Sequence, residues 1–495
     1  MKKHKNIMIM GTASNVGKSI ITTALCRILY KDGYNVCPFK SQNMALNSFI
    51  TADGLEMGRA QVVQAEACDI APEAYMNPIL LKPTTNRKSQ VIVNGKVVKN
   101  MDSMEYSTKK DFLKEKVEEN YDFIKGNYDI SVIEGAGSCA EINLKDRDIV
   151  NMGMAEIADS PVVLVADIDR GGVFASILGT LMLLEEEEKE RVKGIIINKF
   201  RGDVKLLEPG IVKLEEMVGK PVLGVLPYSD VDIEDEDSVT ERFSKSTHDK
   251  DIKISVVRTP HMSNFTDMDV LSRYSDVALS YVNKASELGD EDIIILPGSK
   301  NTIEDLKDLK ERGIAEQVIK SARKGTVIFG ICGGYQMLGE RLCDPTGVES
   351  SLAEIGGLGL LDMETYMEGE KMTTQYRGSI EAASEFLAGT EGMTVDGYEI
   401  HQGRTTGKEA NVFLRGESDI KGVFRNNIIG TYIHGIFDNS DFTRTFLNNV
   451  RKIKGLDAID ETIDLKEYKE REFDKLAEIF KENIDMDKVY SILNI

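Results

Sequence analysis

Two short stretches of this 495-residue chain combine residue types and spacings that do chemistry. The first is GTASNVGKS, residues Gly11 to Ser19, after an apolar run and before the helical text IITTALCRIL. Glycines let backbone N–H groups approach phosphate oxygens, and the start of the following helix adds a favourable dipole. Gly11, Thr12, Asn15, Val16 and Gly17 are the expected cradle. Lys18 would reach the β- and γ-phosphates of a nucleotide, and the Ser19 hydroxyl would ligate Mg²⁺. The second stretch is GICGGYQ, in which Cys332 sits between a buried strand and a helix, flanked by glycines. That is the nucleophile-elbow pattern with Cys in place of Ser, where small neighbours permit the sharp turn that exposes the sulfur. A lone cysteine is ordinarily a small buried hydrophobe. That reading is kept for Cys26, Cys37, Cys68, Cys139 and Cys343, which lack such a setting.

A thiol nucleophile needs a base, and the chain has five histidines. His434, in GTYIHGIFD, ends an expected strand and is the first choice; His401, in GYEIHQGR, is the second, expected nearer to substrate. His4 and His248 lie in polar text, and His261 reads as structural. The backbone N–H groups of Gly298, in LPGS, and of Gly333 would form an oxyanion hole. At the phosphate cradle, Glu134 in VIEGAGS stands at a strand's carboxyl end, where ligands collect in open α/β sheets, and would hold Mg²⁺. Asn198, at another strand end, would read the base. Each of these two also has a plainer reading as a loop cap.

The elements that must position these residues are legible as short β-branched runs alternating with helical stretches. They fall at 7–10, 130–133, 162–166, 194–197 and 222–225, then at 252–257, 293–296, 327–329 and 428–433. Near-continuous apolar strands separated by helices predict parallel sheets covered on both faces, an α/β fold. The length predicts two or three domains. The expected division is a P-loop ATPase domain over 1–230, an acidic linker over 231–250, a catalytic-cysteine domain over 251–440 and a helical C-terminal tail over 441–495.

Net charge is −21 and the pI about 4.9. Such a surface repels nucleic acid and anionic membranes, which argues against either as a partner. The basic-then-apolar start, MKKHKNIMIMGT, flows into the glycine loop without a cleavage site and reads as a first strand. No apolar run reaches the roughly 18–20 residues of a membrane span. The six cysteines form no CxxC pair, so reduced thiols and a cytoplasmic location are expected.

The spacing of Gly11 from GKS is one residue longer than in GxxxxGK[ST], and this form resembles dethiobiotin-synthetase-like P-loop proteins, which phosphorylate carboxylates. With the cysteine elbow, the chain resembles such an ATPase fused to a class I-type glutamine amidotransferase domain. Longer segments narrow the match: KSQNMALNS at 40–48, TADGLEMGRAQ at 51–61, NPILLKP at 77–83, EGAGSCAEINL at 134–144, DIDRGGVFAS at 167–176, SNFTDMD at 263–269 and GYEIHQGRT at 397–405. From about residue 5 to about 440 these resemble the cobyric acid synthase family. The resemblance implies ATP with Mg²⁺, L-glutamine and a corrinoid polycarboxylate as small-molecule partners. It also implies a synthetase that turns carboxylates into amides through an acyl phosphate, and it adds Asp53 as a metal candidate. For the carboxylate-rich substrate the candidates are Lys40, Lys82 and Arg87, with Asp146 and Asp148 to position the substrate or a metal and His401 near the substrate; a solvated surface is the plainer reading of the three cations. His434 lacks the Glu two residues on that completes the triad in other class I glutaminases, so the third member stays open. Two rival readings remain: cobyrinic acid a,c-diamide synthase, with the same modules, and a MinD-like regulatory ATPase carrying a glutaminase-like domain.

Overall fold

A computed structural model describes residues 4–84, 88–234, 250–381, 384–409, 411–416 and 419–495. The front half is built on a six-stranded, all-parallel sheet in the order Val222–Pro227, Val192–Phe200, Val162–Asp167, Lys5–Gly11, Ile130–Glu134, Val36–Phe39. Its strands are apolar throughout because helices cover both faces, giving two core clusters on opposite sides. The strand Val36–Phe39 escapes the sequence reading because it is short and contains Pro38. It is tolerated because it lies at the sheet edge, where a missing donor costs least.

The back half has a seven-stranded sheet. Five parallel strands, Val277–Val282, Ile252–Val257, Ile293–Leu296, Val327–Ile331 and Ile428–Thr431, are extended by antiparallel Ile420–Arg425 and Val412–Arg415. The strand expected over 428–433 stops at Thr431. His434 instead pairs as an isolated bridge with Tyr398 of the long strand Thr394–Gly407.

A third sheet, absent from the sequence reading, stands between the halves: Gln42–Met44, Ile79–Pro83, Lys88–Val93, Lys96–Asp102. Its strands are short, and the apolar runs at 79–81 and 91–93 are cut off by charged or polar residues in the same strands.

The acidic linker expected over 231–250 lies mostly outside the described residues. Just before the gap, Glu234 is buried against Arg59 and Lys469. The segment 441–495, expected as a helical C-terminal tail, is helical and packs against both halves. Helix Ser440–Ile453 buries Phe442, Phe446, Leu447 and Val450 in the back core. Helix Leu465–Asn483 returns to the front domain, where Arg27 meets Glu470 at 2.6 Å and Asp474 at 2.7 Å. Ile484 then bridges the edge strand at Gly224. A Cβ on Gly224 would lie 2.1 Å from the Asn483 carbonyl, so glycine permits this approach and the edge is covered rather than exposed.

Candidate active sites

The loop Gly11–Ser19 leaves the central strand and enters helix Lys18–Lys31. Gly17 has φ 98°, a left-handed value that favours glycine, and a Cβ there would strike the Asn198 amide at 2.0 Å. Lys18 Nζ curls over the loop to the carbonyls of Ala13 (3.0 Å) and Gly137 (2.9 Å). Ser19 Oγ donates to Glu134 Oε1 at 2.8 Å, and Lys40 Nζ donates to the same oxygen at 2.8 Å. Gln64 Nε2 holds the other Glu134 oxygen at 2.5 Å. Strand order explains the meeting: Lys5–Gly11 and Ile130–Glu134 are neighbours, so both carboxyl ends open on one crevice.

A hydroxyl beside a carboxylate is a hard oxygen pair that suits Mg²⁺. Among the described residues no group of three or more His, Cys, Asp or Glu could hold a metal, so phosphate and water oxygens would supply the other ligands. Asp53 does not join them. It is exposed at the turn between Ser48–Ile50 and Glu56–Gly58, bonded to Thr51, and its neighbour Gly54 accepts from Thr373 of the back domain at 2.9 Å. Asn198 lines the smaller cavity, and there its Nδ2 donates to Val16 O at 2.9 Å and its Oδ1 accepts from Lys199 N, which props the loop.

Two cavities flank Lys18. One, of about 710 Å³, passes Asn198, Lys199, Pro227 and Tyr228. The other, of about 1320 Å³, exceeds the usual span for small ligands and runs from Lys18 and Lys40 past Met44, Met104, Ile142 and Leu144. Those four apolar side chains are 56%, 79%, 61% and 57% exposed, an uncovered apolar rim. Lys88, Lys110, Lys145 and Arg147 add positive charge to it. Of the expected substrate residues, only Lys40 and Asp148 line this cavity. Asp148 spends its carboxylate on the N–H groups of Val150, Asn151 and Gly153, holding the loop in shape. Asp146 is exposed and points into a separate cleft. Lys82 and His401 belong to the cysteine site instead. Arg87 lies outside the described residues.

Cys332 has φ 52° and ψ −106°, the strained elbow geometry, at the start of helix Gly333–Leu338. Such strain persists only where packing enforces it. A Cβ on Gly334 would lie 1.9 Å from the Leu296 carbonyl, so glycine is required there. Gly333 and Gly298 both border the sulfur's pocket: a Cβ on the first would meet Ser299 N at 2.8 Å and one on the second His434 Cε1 at 3.0 Å. His434 is buried, and its Nδ1 lies 2.6 Å from Asp267 Oδ2, while the Cys332 thiol donates to Ile400 O at 3.5 Å. Burial opposes charge on the ring, but the Asp267 carboxylate and Cys332 outweigh it and raise the imidazolium pKa to about 10. Asp267 also accepts from Gly435 N at 3.1 Å. Cys332, His434 and Asp267 therefore stand in the order nucleophile, base, orienting carboxylate. The open third position is filled from the 3₁₀ turn Phe265–Met268, on the far side of the chain from His434, and nothing but its place in SNFTDMD marked it.

His401 turns away from the proton chemistry. Its nitrogens bond Gly403 O (3.0 Å) and Glu399 (3.2 Å), and its ring stacks on Tyr432 with centroids 3.8 Å apart. Gln336, four residues after the nucleophile, bonds Thr302, Gln402 O and Tyr432 and lines the pocket.

Comparison with known proteins accords with this two-site arrangement. Residues 7–239 match the CobQ/CobB/MinD/ParA nucleotide binding domain, and residues 253–442 match the CobB/CobQ-like glutamine amidotransferase domain. The chain is 52% identical to cobyric acid synthase of Thermoanaerobacter sp. (strain X514), with 98% of each chain covered. It is 54% identical to that of Alkaliphilus metalliredigens (98% of this chain, 99% of the relative). For Citrobacter koseri the figures are 51% identity and 98% of each chain.

Proposed function

The chain belongs to the cobyric acid synthase family, and from that premise we propose how its residues divide the reaction between two sites. The reaction is amidation of the b, d, e and g side-chain carboxylates of adenosylcobyrinic acid a,c-diamide, at the expense of ATP and glutamine. The observation that carries the division is the pairing of two complete constellations, Lys18–Ser19–Glu134 and Cys332–His434–Asp267, in one chain.

A carboxylate does not yield to ammonia directly, because oxide would have to leave. Transfer of a phosphoryl group from ATP makes the leaving group phosphate. Lys18 and the loop N–H groups bind and orient the phosphates and offset the charge of the transferring group. Ser19 and Glu134 would hold Mg²⁺, which would supply positive charge beside the transferring phosphoryl group. Lys40, beside Glu134, is set to hold the acceptor carboxylate at the reacting end of the 1320 Å³ cavity, whose apolar rim and cationic side chains suit a large ring bearing many carboxylates.

At the second site the Cys332 thiolate attacks the glutamine δ-carbonyl. His434 gives its proton to the departing ammonia and then takes one from the water that hydrolyses the thioester. Asp267 holds the imidazole orientation throughout. The N–H groups at Gly298 and Gly333 would receive the developing oxyanion. The released ammonia displaces phosphate from the acyl phosphate and leaves the amide.

The rival cobyrinic acid a,c-diamide synthase has the same two modules, and a MinD-like switch would carry a glutaminase-like domain; the relatives matched along the full length are cobyric acid synthases, which favours that reading. Incubation with ATP, glutamine and adenosylcobyrinic acid a,c-diamide, followed by product mass, tests the reading. Four successive amidations are expected; an unchanged diamide, with two amidations when unamidated cobyrinic acid is supplied in its place, would overturn it.

A further inference from the structure

The third sheet is a partition one strand-layer thick. Successive strand residues face opposite sides. Leu81 and Pro83, with Ser89 and Val91, line the cavity that holds Lys18 and Lys40. Lys82 and Gln90, partners across the same two strands, face the other way. Lys82 lines the pocket of Cys332, and Gln90 Nε2 reaches Gln402 Oε1 of that pocket at 3.4 Å. Lys82 and Gln90 thus stand on the cysteine-pocket face of the two strands whose other face lines the phosphorylation cavity.

Around the pair the seam is closed by buried charge. Glu56 accepts from Lys82 at 2.9 Å and from Lys371 at 2.5 Å, and Lys371 also donates to Gln90 Oε1 at 3.2 Å. Lys300 adds a third buried amine, 3.4 Å from Gln402 Oε1. Glu56, Lys82 and Gln90 come from the front domain, Lys371, Lys300 and Gln402 from the back, so the cluster exists only where the halves meet. Buried ion pairs give little net stability over apolar packing, so three amines here ask for another reason. Ammonia supplies one. In neutral water it is almost wholly ammonium, which is not a nucleophile, whereas surrounding cations disfavour its protonation. Burial, opposed by Glu56 and reinforced by Lys82 and Lys300, holds the Lys371 amine down to about 7.

Resting on the two-site reading above, we propose that Glu56, Lys82, Lys371 and Gln90 form the gate through which ammonia crosses the partition. The full-length enzyme is given its corrinoid substrate, ATP, unlabelled glutamine and excess nitrogen-15 ammonium, and the product is read by mass. The wild type is expected to incorporate glutamine nitrogen and to release about one glutamate per amide formed. Glu56→Gln and Gln90→Leu are expected to take up mainly labelled nitrogen and to release several glutamates per amide. Their amidation with ammonium alone should stay within about twofold of wild type. If Glu56→Gln also loses the ammonium reaction, Gln90→Leu, which strands no charge, decides. Unlabelled product and unchanged stoichiometry in the variants would overturn the gate. Absence of amide from either nitrogen source in the wild type would instead remove the reading beneath it.

Discussion

Asn47 Oδ1, in the nucleotide-binding half, accepts the backbone N–H of Phe265 at 3.2 Å, two residues before the carboxylate that orients His434. The contact is reciprocated: Asn264 Oδ1 accepts from Ser48 N at 3.2 Å, and Asn264 Nδ2 donates to the Tyr398 hydroxyl, whose ring stacks on His434. The turn carrying Asp267 is thus held by the other domain. Asn47→Ala should lower glutamine hydrolysis about three- to tenfold through misplacement of Asp267, the scale of one net hydrogen bond. Amidation with ammonium salts should be spared. Equal loss with both nitrogen donors would show a general packing defect instead.

Asp267→Asn should change the pH dependence as well as the rate. The folded His434 pKa, about 10, lies above the ordinary 6.5, so its imidazolium persists until pH rises through about 10. Stability from this pair is fully present below 6.5 and lost as pH climbs through 10. Removing the carboxylate should bring the alkaline limb of glutaminase activity down toward neutrality and cut the rate by on the order of 10²–10⁴-fold. An unmoved limb in a rate–pH profile would mean that Asp267 does not set the proton affinity of His434.

What the sequence revealed follows from how local each signal is. The phosphate loop and the cysteine elbow are contiguous stretches in which glycine is needed at fixed positions, and both stand where the motifs imply. Asp267 is 167 residues from His434, and its role depends on a contact no local pattern encodes. Lys82, in NPILLKP, reads in the sequence as a residue that holds a substrate carboxylate. Strand alternation instead turns it through the partition, away from that cavity. Asp53 failed for a similar reason, since the hairpin that carries it docks on Thr373 rather than on the loop.

Lys18→Ala should abolish amidation with glutamine or ammonium alike, because phosphoryl transfer precedes use of either. Glutamine hydrolysis should survive in part, which a glutaminase assay would reveal. Near-normal amide formation would contradict the role of the loop.

Ser19→Ala should leave folding intact, as it removes one hydroxyl, yet raise the Mg²⁺ concentration needed for half-maximal amidation several-fold. A magnesium titration at fixed ATP checks this. Superimposable wild-type and variant curves would remove Ser19 from the metal site.

Ending the chain after residue 463 should unfold the nucleotide-binding half, although the deleted part contains no site residue. Phe473, Leu476, Phe480, Ile484, Val489 and Leu493 are buried in its core. Each contributes about 1.5–3 kcal/mol, against a typical domain margin of about 5–15 kcal/mol. Calorimetry should show that domain's transition lost; a profile like that of the full chain would contradict the packing.

The division of labour between the two sites is tested most directly by Cys332→Ser assayed with both nitrogen donors. The account predicts loss of glutamine-driven amidation with retention of the ammonium-driven reaction, increasingly so at higher pH where free ammonia is abundant. Equal loss with both donors, or full retention of activity with glutamine, would contradict it.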